Sequence, residues 1–320
     1  MVAMPELPEV ETIRRDLEPD LVGRRILGAW CSEGPRYGDI ADAVGRAILA
    51  LRRRGKYLLV ELGKASAVPG PSVAGRGDRS ASSGTDSAAA GCGEAGGPGS
   101  WQLGSADREL VIHLGMSGRL FVAASRPDST HLRAVIALDG PENLYFDDMR
   151  KFGQLKVVRP GDYEDLETLA QLGPEPLSAD FDREEFCRAL ASSHAPVKAV
   201  LLGQRVVAGI GNIYADEALF VAGIHPGTRT VSRRQALRLH AAVRQVLAEA
   251  IANRGTSFSL YRDGHFRQGS HYRELKVYDR EHQPCLRCQT AICKTRIAGR
   301  GTHFCPRCQK PARATAEVRE

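Results

Sequence analysis

No run of apolar residues in this 320-residue chain approaches the ~20 that a membrane-crossing helix needs. No secretory leader is recognisable at the start. Membrane-spanning and secreted classes are set aside, and a cytoplasmic location is expected. In a reducing compartment eight cysteines do not pair as disulfides, so they point to metal or thiol chemistry. Acidic residues are scarce in one place. From Pro284 onward only Glu317 and Glu320 face eight lysines and arginines, which accounts for the whole formal charge of +6. A concentrated basic tail is the usual electrostatic footprint for a phosphate backbone, although charge alone fits a solvated tail equally well.

Residues 65–100 lack Leu, Ile and Phe altogether, and 24 of these 36 positions are Gly, Ala or Ser. Such a segment cannot bury enough surface to offset its ordering entropy. A disordered low-complexity insertion between two strands is expected over 65–107, with Cys92 incidental. Elsewhere 42% apolar residues suffice for sizeable cores, and the length suggests two domains with a small third module.

Val10, Ile13, Leu17 and Leu21 share one face of a helix that Pro5 and Pro8 lead into. Short β-rich runs follow, "RRILGAW", "KYLLVEL", "ELVIHLG", "GRLFVAA", "LRAVIAL", "NLYF" and "QLKVV", and predict an antiparallel sandwich or barrel. From about Tyr163 the period becomes helical. Asp182 with Glu185, and Ser232 with Gln235, mark helix starts. Leu239, Val243, Val246, Leu247, Ala250 and Ile251 form a core-facing stripe that Gly255 ends. The fold class is α+β and multidomain: a β domain over 4–160, a helical domain over 161–283 and a cysteine module over 284–311.

Cys285-x-x-Cys288 and Cys305-x-x-Cys308, sixteen residues apart, have zinc-ribbon spacing. Four thiolates leave no open coordination position, so one structural Zn²⁺ is expected, with Cys293 a bystander. A module this small cannot hold itself together by burial, so zinc supplies its folding energy and it presents the basic hairpin "KTRIAGRGTHF". In "VVAGIGNIYADEALF", Gly209 and Gly211 turn the backbone and Asn212 opens a helix. Its free N–H groups are expected to receive a DNA phosphate. No strand precedes this Gly-x-Gly in a βαβ unit, so a dinucleotide site is rejected.

"PELPEVET", "RRGKYLLVEL", "HLGMSGRL", "DDMRKFG", "LGPEPL", "GIGNIYADEALF" and the terminal zinc ribbon occur together and in order. The chain so far resembles the bacterial formamidopyrimidine-DNA glycosylase family over nearly its whole length apart from the insertion. The resemblance implies an N-terminal β-sandwich, a helix-two-turn-helix domain and a zinc-bearing β-hairpin, with damaged double-stranded DNA in the cleft and a monomeric enzyme. It implies a bifunctional DNA glycosylase and AP lyase that removes oxidised purines. "PELPEVE" favours this over the sister endonuclease VIII, which acts on oxidised pyrimidines. A non-catalytic zinc-dependent DNA-damage-binding protein is the rival of another class.

In the family the initiator Met directly precedes Pro and is removed, which here requires a start at Met4 and leaves Pro5 as a terminal secondary amine. Such an amine titrates near about 8, so part of it is neutral and able to attack the sugar C1′. By resemblance the catalytic set is Pro5, Glu6, Lys56 and Arg300. Glu6 shuttles protons, Lys56 assists β-elimination and Arg300 assists δ-elimination. Glu9 helps line the base pocket. Without the motif, Glu6 reads as a carboxylate serving a helix dipole and Lys56 as a strand-edge solubility residue. Met116, Arg150 and Phe152 match the trio that fills the void left by a flipped base. His131, Lys198 and Asn212 match phosphate contacts. Ser193 and His194 replace a basic pair of the family, and Thr256–Tyr272, where a lesion-capping loop is expected, matches poorly.

Overall fold

A computed structural model describes residues 4–38, 40–66, 102–256 and 269–311. The first helix, α1 (Leu7–Leu21), buries the expected face: Val10, Ile13, Leu17 and Leu21 enter one apolar core together with residues of both sheets below. Strands β1 (Ile26–Cys31), β2 (Arg46–Arg54), β3 (Tyr57–Ser66), β4 (Gln102–His113), β5 (Gly118–Ala123), β6 (Leu132–Leu138), β7 (Asn143–Asp148) and β8 (Gln154–Val158) follow. They form two antiparallel four-stranded sheets, ordered β1-β6-β7-β5 and β2-β3-β4-β8. The alternation in β6 is the clearest, with every second residue from Leu132 to Leu138 buried.

One strand is missing from the expectations, and one expectation is corrected. Strand β2 was not anticipated from the sequence. Its arginines and a register shift between Ile48 and Ala50 break the two-residue alternation that marks a half-buried strand. The insertion expected over 65–107 is too wide, because β3 runs to Ser66, β4 starts at Gln102, and the two pair at Ser66–Gln102 and Ala65–Leu103. Ladder hydrogen bonds join backbone groups and need no apolar side chain, so composition alone misplaced both edges. Residues 67–101, including Cys92, lie outside the described residues.

The helical part comprises α2 (Glu167–Ala170), α3 (Arg183–Ala191), α4 (Val197–Leu202), α5 (Asn212–Ala222) and α6 (Arg233–Ala252). Asp182 caps α3 by accepting from the Glu184 and Glu185 amides, and Ser232 with Gln235 forms the capping box of α6. Gly255, at φ +77°, closes α6 by donating to the Ala250 carbonyl. Helix α5 is buried on every side except at Asn212 and Val221. It packs on α6 and α4 and reaches one strand of the terminal hairpin, β10 (Arg300–Phe304), which pairs with β9 (Cys293–Ile297). No helix among the described residues is long and apolar enough to cross a membrane.

Candidate active site

A cavity of about 400 Å³ opens where sandwich, helices and hairpin meet. Glu6 and Met4 from the start of the chain, Lys56 and Met116 from the sandwich, Asn212 from α5 and Arg300 from β10 all line it. Residues 205 positions apart or more thus share one wall. A larger, more open groove of about 840 Å³ lies beside α2, α3 and α4, but it holds none of the expected catalytic residues.

Glu6 immediately precedes α1, yet it serves the N-terminus of a different helix. Its carboxylate accepts from the backbone N–H groups of Gly211 (2.6 Å), Ile213 (2.8 Å) and Tyr214 (3.4 Å) at the head of α5. This corrects the reading of that helix start as a phosphate site: the anion it holds belongs to the protein. The glycines have a second purpose besides turning the chain. A Cβ on Gly211 would overlap the Glu6 carboxyl carbon, and one on Gly209 would overlap Leu7. Burial pushes the Glu6 carboxyl above the usual range, opposed by the Lys56 charge and the three amides. Pro5 is buried beside it and follows Met4.

Lys56 occupies the two-residue turn between β2 and β3 and is 4% exposed. Burial drives its ammonium downward; Glu6 and Glu9 pull it back, and Arg300 pushes it further down. Carboxyl up and ammonium down narrows the gap in proton affinity between the two groups. Glu9 does not line this cavity. Its oxygens accept from the Glu6 amide (2.8 Å), the Tyr214 hydroxyl (2.6 Å) and the Thr256 amide (2.7 Å), and burial followed by the Glu6 charge raises it to about 7. Residues 257–268, most of the expected lesion-capping stretch, lie outside the described residues.

His113 was missed, although it stands in the quoted "HLGMSG". Its Nδ1 accepts from the Gly115 amide at 3.2 Å, so the neutral ring carries its proton on Nε2. Burial, then the charges of Lys56 and Arg36, lowers it to about 4.

Met116, Arg150 and Phe152 sit on two neighbouring loops. Phe152 is 42% exposed, and the Arg150 guanidinium lies 5.1 Å from its ring centre. A second missed residue, Asp148, joins the loops. Fully buried, it accepts from Ser117 Oγ (2.5 Å), the Gly153 amide (2.7 Å) and the Arg150 amide (3.3 Å). His131 is half-buried next to β6, and its amide donates to Ser129 Oγ.

Lys198 requires correction. It was expected to contact phosphate, but it is fully buried. Its ammonium is held by Asp216 Oδ1 (2.7 Å), the Gly301 carbonyl (3.0 Å) and Thr302 Oγ1 (2.9 Å). Three donors with three internal partners leave none for DNA. Asn212 Nδ2 donates to the same Gly301 carbonyl at 3.1 Å, while the residue remains at the cavity wall.

The four Sγ atoms of Cys285, Cys288, Cys305 and Cys308 lie within 4.8 Å of one another, with recorded separations of 3.5 to 3.9 Å. Tetrahedral Zn²⁺ with thiolate bonds of about 2.3 Å needs sulfurs about 3.8 Å apart, so the set fits a structural zinc. Exposed Cys293 takes no part in the cluster. Helix α5 anchors the module. Arg287 donates to the Phe220 carbonyl and lies 4.4 Å from the Phe220 ring centre, and Glu217 accepts from the amides of Lys276, Val277 and Tyr278.

Known proteins match along the whole of this architecture. Residues 4–155 match the family model for the formamidopyrimidine-DNA glycosylase N-terminal domain, 172–261 that for its H2TH domain, and 283–311 that for the zinc finger found in FPG and IleRS. Formamidopyrimidine-DNA glycosylase of Symbiobacterium thermophilum is 42% identical over 96% of this chain and 89% of its own. The crystal structure of the MutM (Fpg) protein from Thermus thermophilus superposes with a TM-score of 0.78 at 40% identity, covering 96% of this chain and all of that one. A structure of MutM in complex with DNA containing carbocyclic 8-oxo-G gives 0.76 at 31% identity with the same coverage. Likeness of this degree in sequence, fold and zinc module together establishes that the chain belongs to the formamidopyrimidine-DNA glycosylase family, the zinc-bearing DNA glycosylases of base-excision repair.

Proposed function

We propose that this glycosylase releases oxidised purines, 8-oxoguanine and formamidopyrimidines, and then cuts the abasic strand through a Schiff base on the Pro5 nitrogen. The observation that carries the reading is the convergence on one cavity of Glu6, Lys56 and Arg300, next to Pro5. Attack of the proline nitrogen on C1′ expels the base, which takes a proton, and the opened sugar is left as an iminium. That iminium has no N–H to lose and remains an electron sink. Loss of the 2′ proton expels the 3′ phosphate, and a second elimination expels the 5′ phosphate. Glu6, raised by burial, supplies the proton that opens the sugar as the base departs. Lys56, lowered by burial, accepts the proton lost from C2′. Arg300 holds the lesion phosphate and assists the second elimination. Met116, Arg150 and Phe152 fill the void in the duplex, with His131 and Asn212 on the backbone.

The reading requires a mature chain that starts at Pro5, since an acylated proline nitrogen has no free lone pair. In the chain as described, Met4 lines the cavity, so its removal both frees the nitrogen and clears the site. The reading is of a monomer that acts in the cytoplasm on chromosomal DNA. The zinc contributes the fold of the hairpin and no chemistry.

Borohydride is expected to trap a covalent adduct between the Met4-started protein and abasic DNA, while Pro5→Gly binds and traps far less. Intact mass is expected to show Pro5 first. Release of 8-oxoguanine is expected to exceed that of thymine glycol. Normal DNA binding with no adduct would leave a binding protein, and active material that retains Met4 would overturn the proline mechanism.

A further inference from the structure

The strand that carries Arg300 is held from one side only. Every residue of β9 is exposed except Ile297, whereas Thr302 and His303 of β10 are buried. Three consecutive residues of β10 are gripped by polar side chains from the helices. The Gly301 carbonyl accepts from Lys198 and Asn212. Thr302 Oγ1 meets the Lys198 ammonium and itself donates to the Arg300 carbonyl at 3.0 Å. The His303 amide donates to Asp216 Oδ2 at 2.8 Å. Lys198 and Asp216 pair at 2.7 Å and are both fully buried. Zinc fixes the base of this hairpin, but the cysteines nearest to Arg300 in sequence are Cys293 outside the cluster and Cys305 five residues on.

We propose that the buried Lys198–Asp216 pair is a positioning device for Arg300: it sets the height of the β10 backbone so that the guanidinium reaches the lesion phosphate for the second elimination. Lys198 acts without touching DNA. The inference rests on the role given to Arg300 above. A buried pair is suited to this task because its geometry is narrow: either partner alone would be left as an uncompensated charge, so the two hold β10 in one place.

The test uses the zinc-loaded, full-length protein that starts at Pro5, on DNA with a preformed abasic site. Lys198→Met is compared with the double variant Lys198→Met/Asp216→Asn, which leaves no lone buried charge and keeps an acceptor for the His303 amide. Expected for both are about tenfold less δ- relative to β-elimination product, borohydride trapping within about twofold of the parent, and faster hydrogen exchange across 293–304 at unchanged zinc content. Unchanged exchange across the hairpin overturns the proposal, as does an unchanged product ratio. A parallel fall of trapping and of both products also overturns it, since it marks a general structural role. Arg300→Ala separates the two readings: if it leaves the product ratio at the parent value, the role of Arg300 fails, and exchange across the hairpin still decides whether the pair holds β10.

Discussion

Glu6 and Glu217 are the same device built twice. Each is a carboxylate about 2% exposed, each accepts from three backbone amides, and each is pushed upward by burial and pulled back by those amides. Glu6 receives the head of α5, and Glu217, on that helix, receives residues 276–278 on the way to the zinc module. The difference lies in what stands beside them. Glu6 has Lys56 as its charged neighbour and opens on the cavity; Glu217 has Asp216, a like charge, and is absent from the cavity wall. A buried, amide-cradled acid is thus a fastening by default. In the proposed mechanism Glu6 becomes a proton carrier because an opposite charge with a shifted affinity and an open volume adjoin it.

Exchanging each acid for its amide separates the two uses most widely. Glu6→Gln is expected to lower base release by about 10²–10⁴-fold, the range of a lost general acid, with zinc content and DNA binding near the parent. Both exchanges loosen an amide cradle and should cost about 3 kcal/mol in urea unfolding, as loss of charge-assisted bonds does, but in Glu217→Gln the surviving folded fraction turns over normally. Single-turnover kinetics beside equilibrium unfolding reads both. Equal loss of activity in the two variants would erase the distinction.

Gly211→Ala probes the Glu6 cradle without altering an ionisable group. The added Cβ must displace the carboxyl, so base release should fall about tenfold and stability by about 1–3 kcal/mol, the usual range for overpacking. The smallest expected effect concerns His113 beside Lys56. The unfolded ring takes up a proton near pH 6.5, and the folded one only at about pH 4. A lowered histidine therefore contributes stability that is full above pH 6.5 and is lost as pH falls toward 4. His113→Gln removes that share, on the order of 1–3 kcal/mol at most, and its unfolding free energy should fall less steeply than the parent's between pH 6.5 and 4. Parallel curves would show that the ring is not held neutral.

Local features were legible because their physics is local. The buried face of α1, the caps at Asp182 and Ser232, the stop at Gly255 and the zinc cysteines all follow from spacing along a few residues. Strand β2 and the ends of the insertion were not legible, since ladder pairing is satisfied by backbone groups whatever side chains they carry. Among site residues, Glu6, Lys56 and Arg300 could be named from motifs, but nothing in "GIGN" says that its amides close on a glutamate 205 residues earlier. Lys198 misled for the same reason: a lysine in a family motif looks available until its partners on α5 and β10 are seen.

The order of amino acids by itself settled which residue types are present for the chemistry: a proline with an acid after it, a lysine at a turn, an arginine on a hairpin and four thiolates at zinc spacing. Only the tertiary structure decided which of them face a common cavity and which are fastenings. Burial and long-range pairing set the proton affinity and accessibility of each group, and neither is a property of any short stretch of chain.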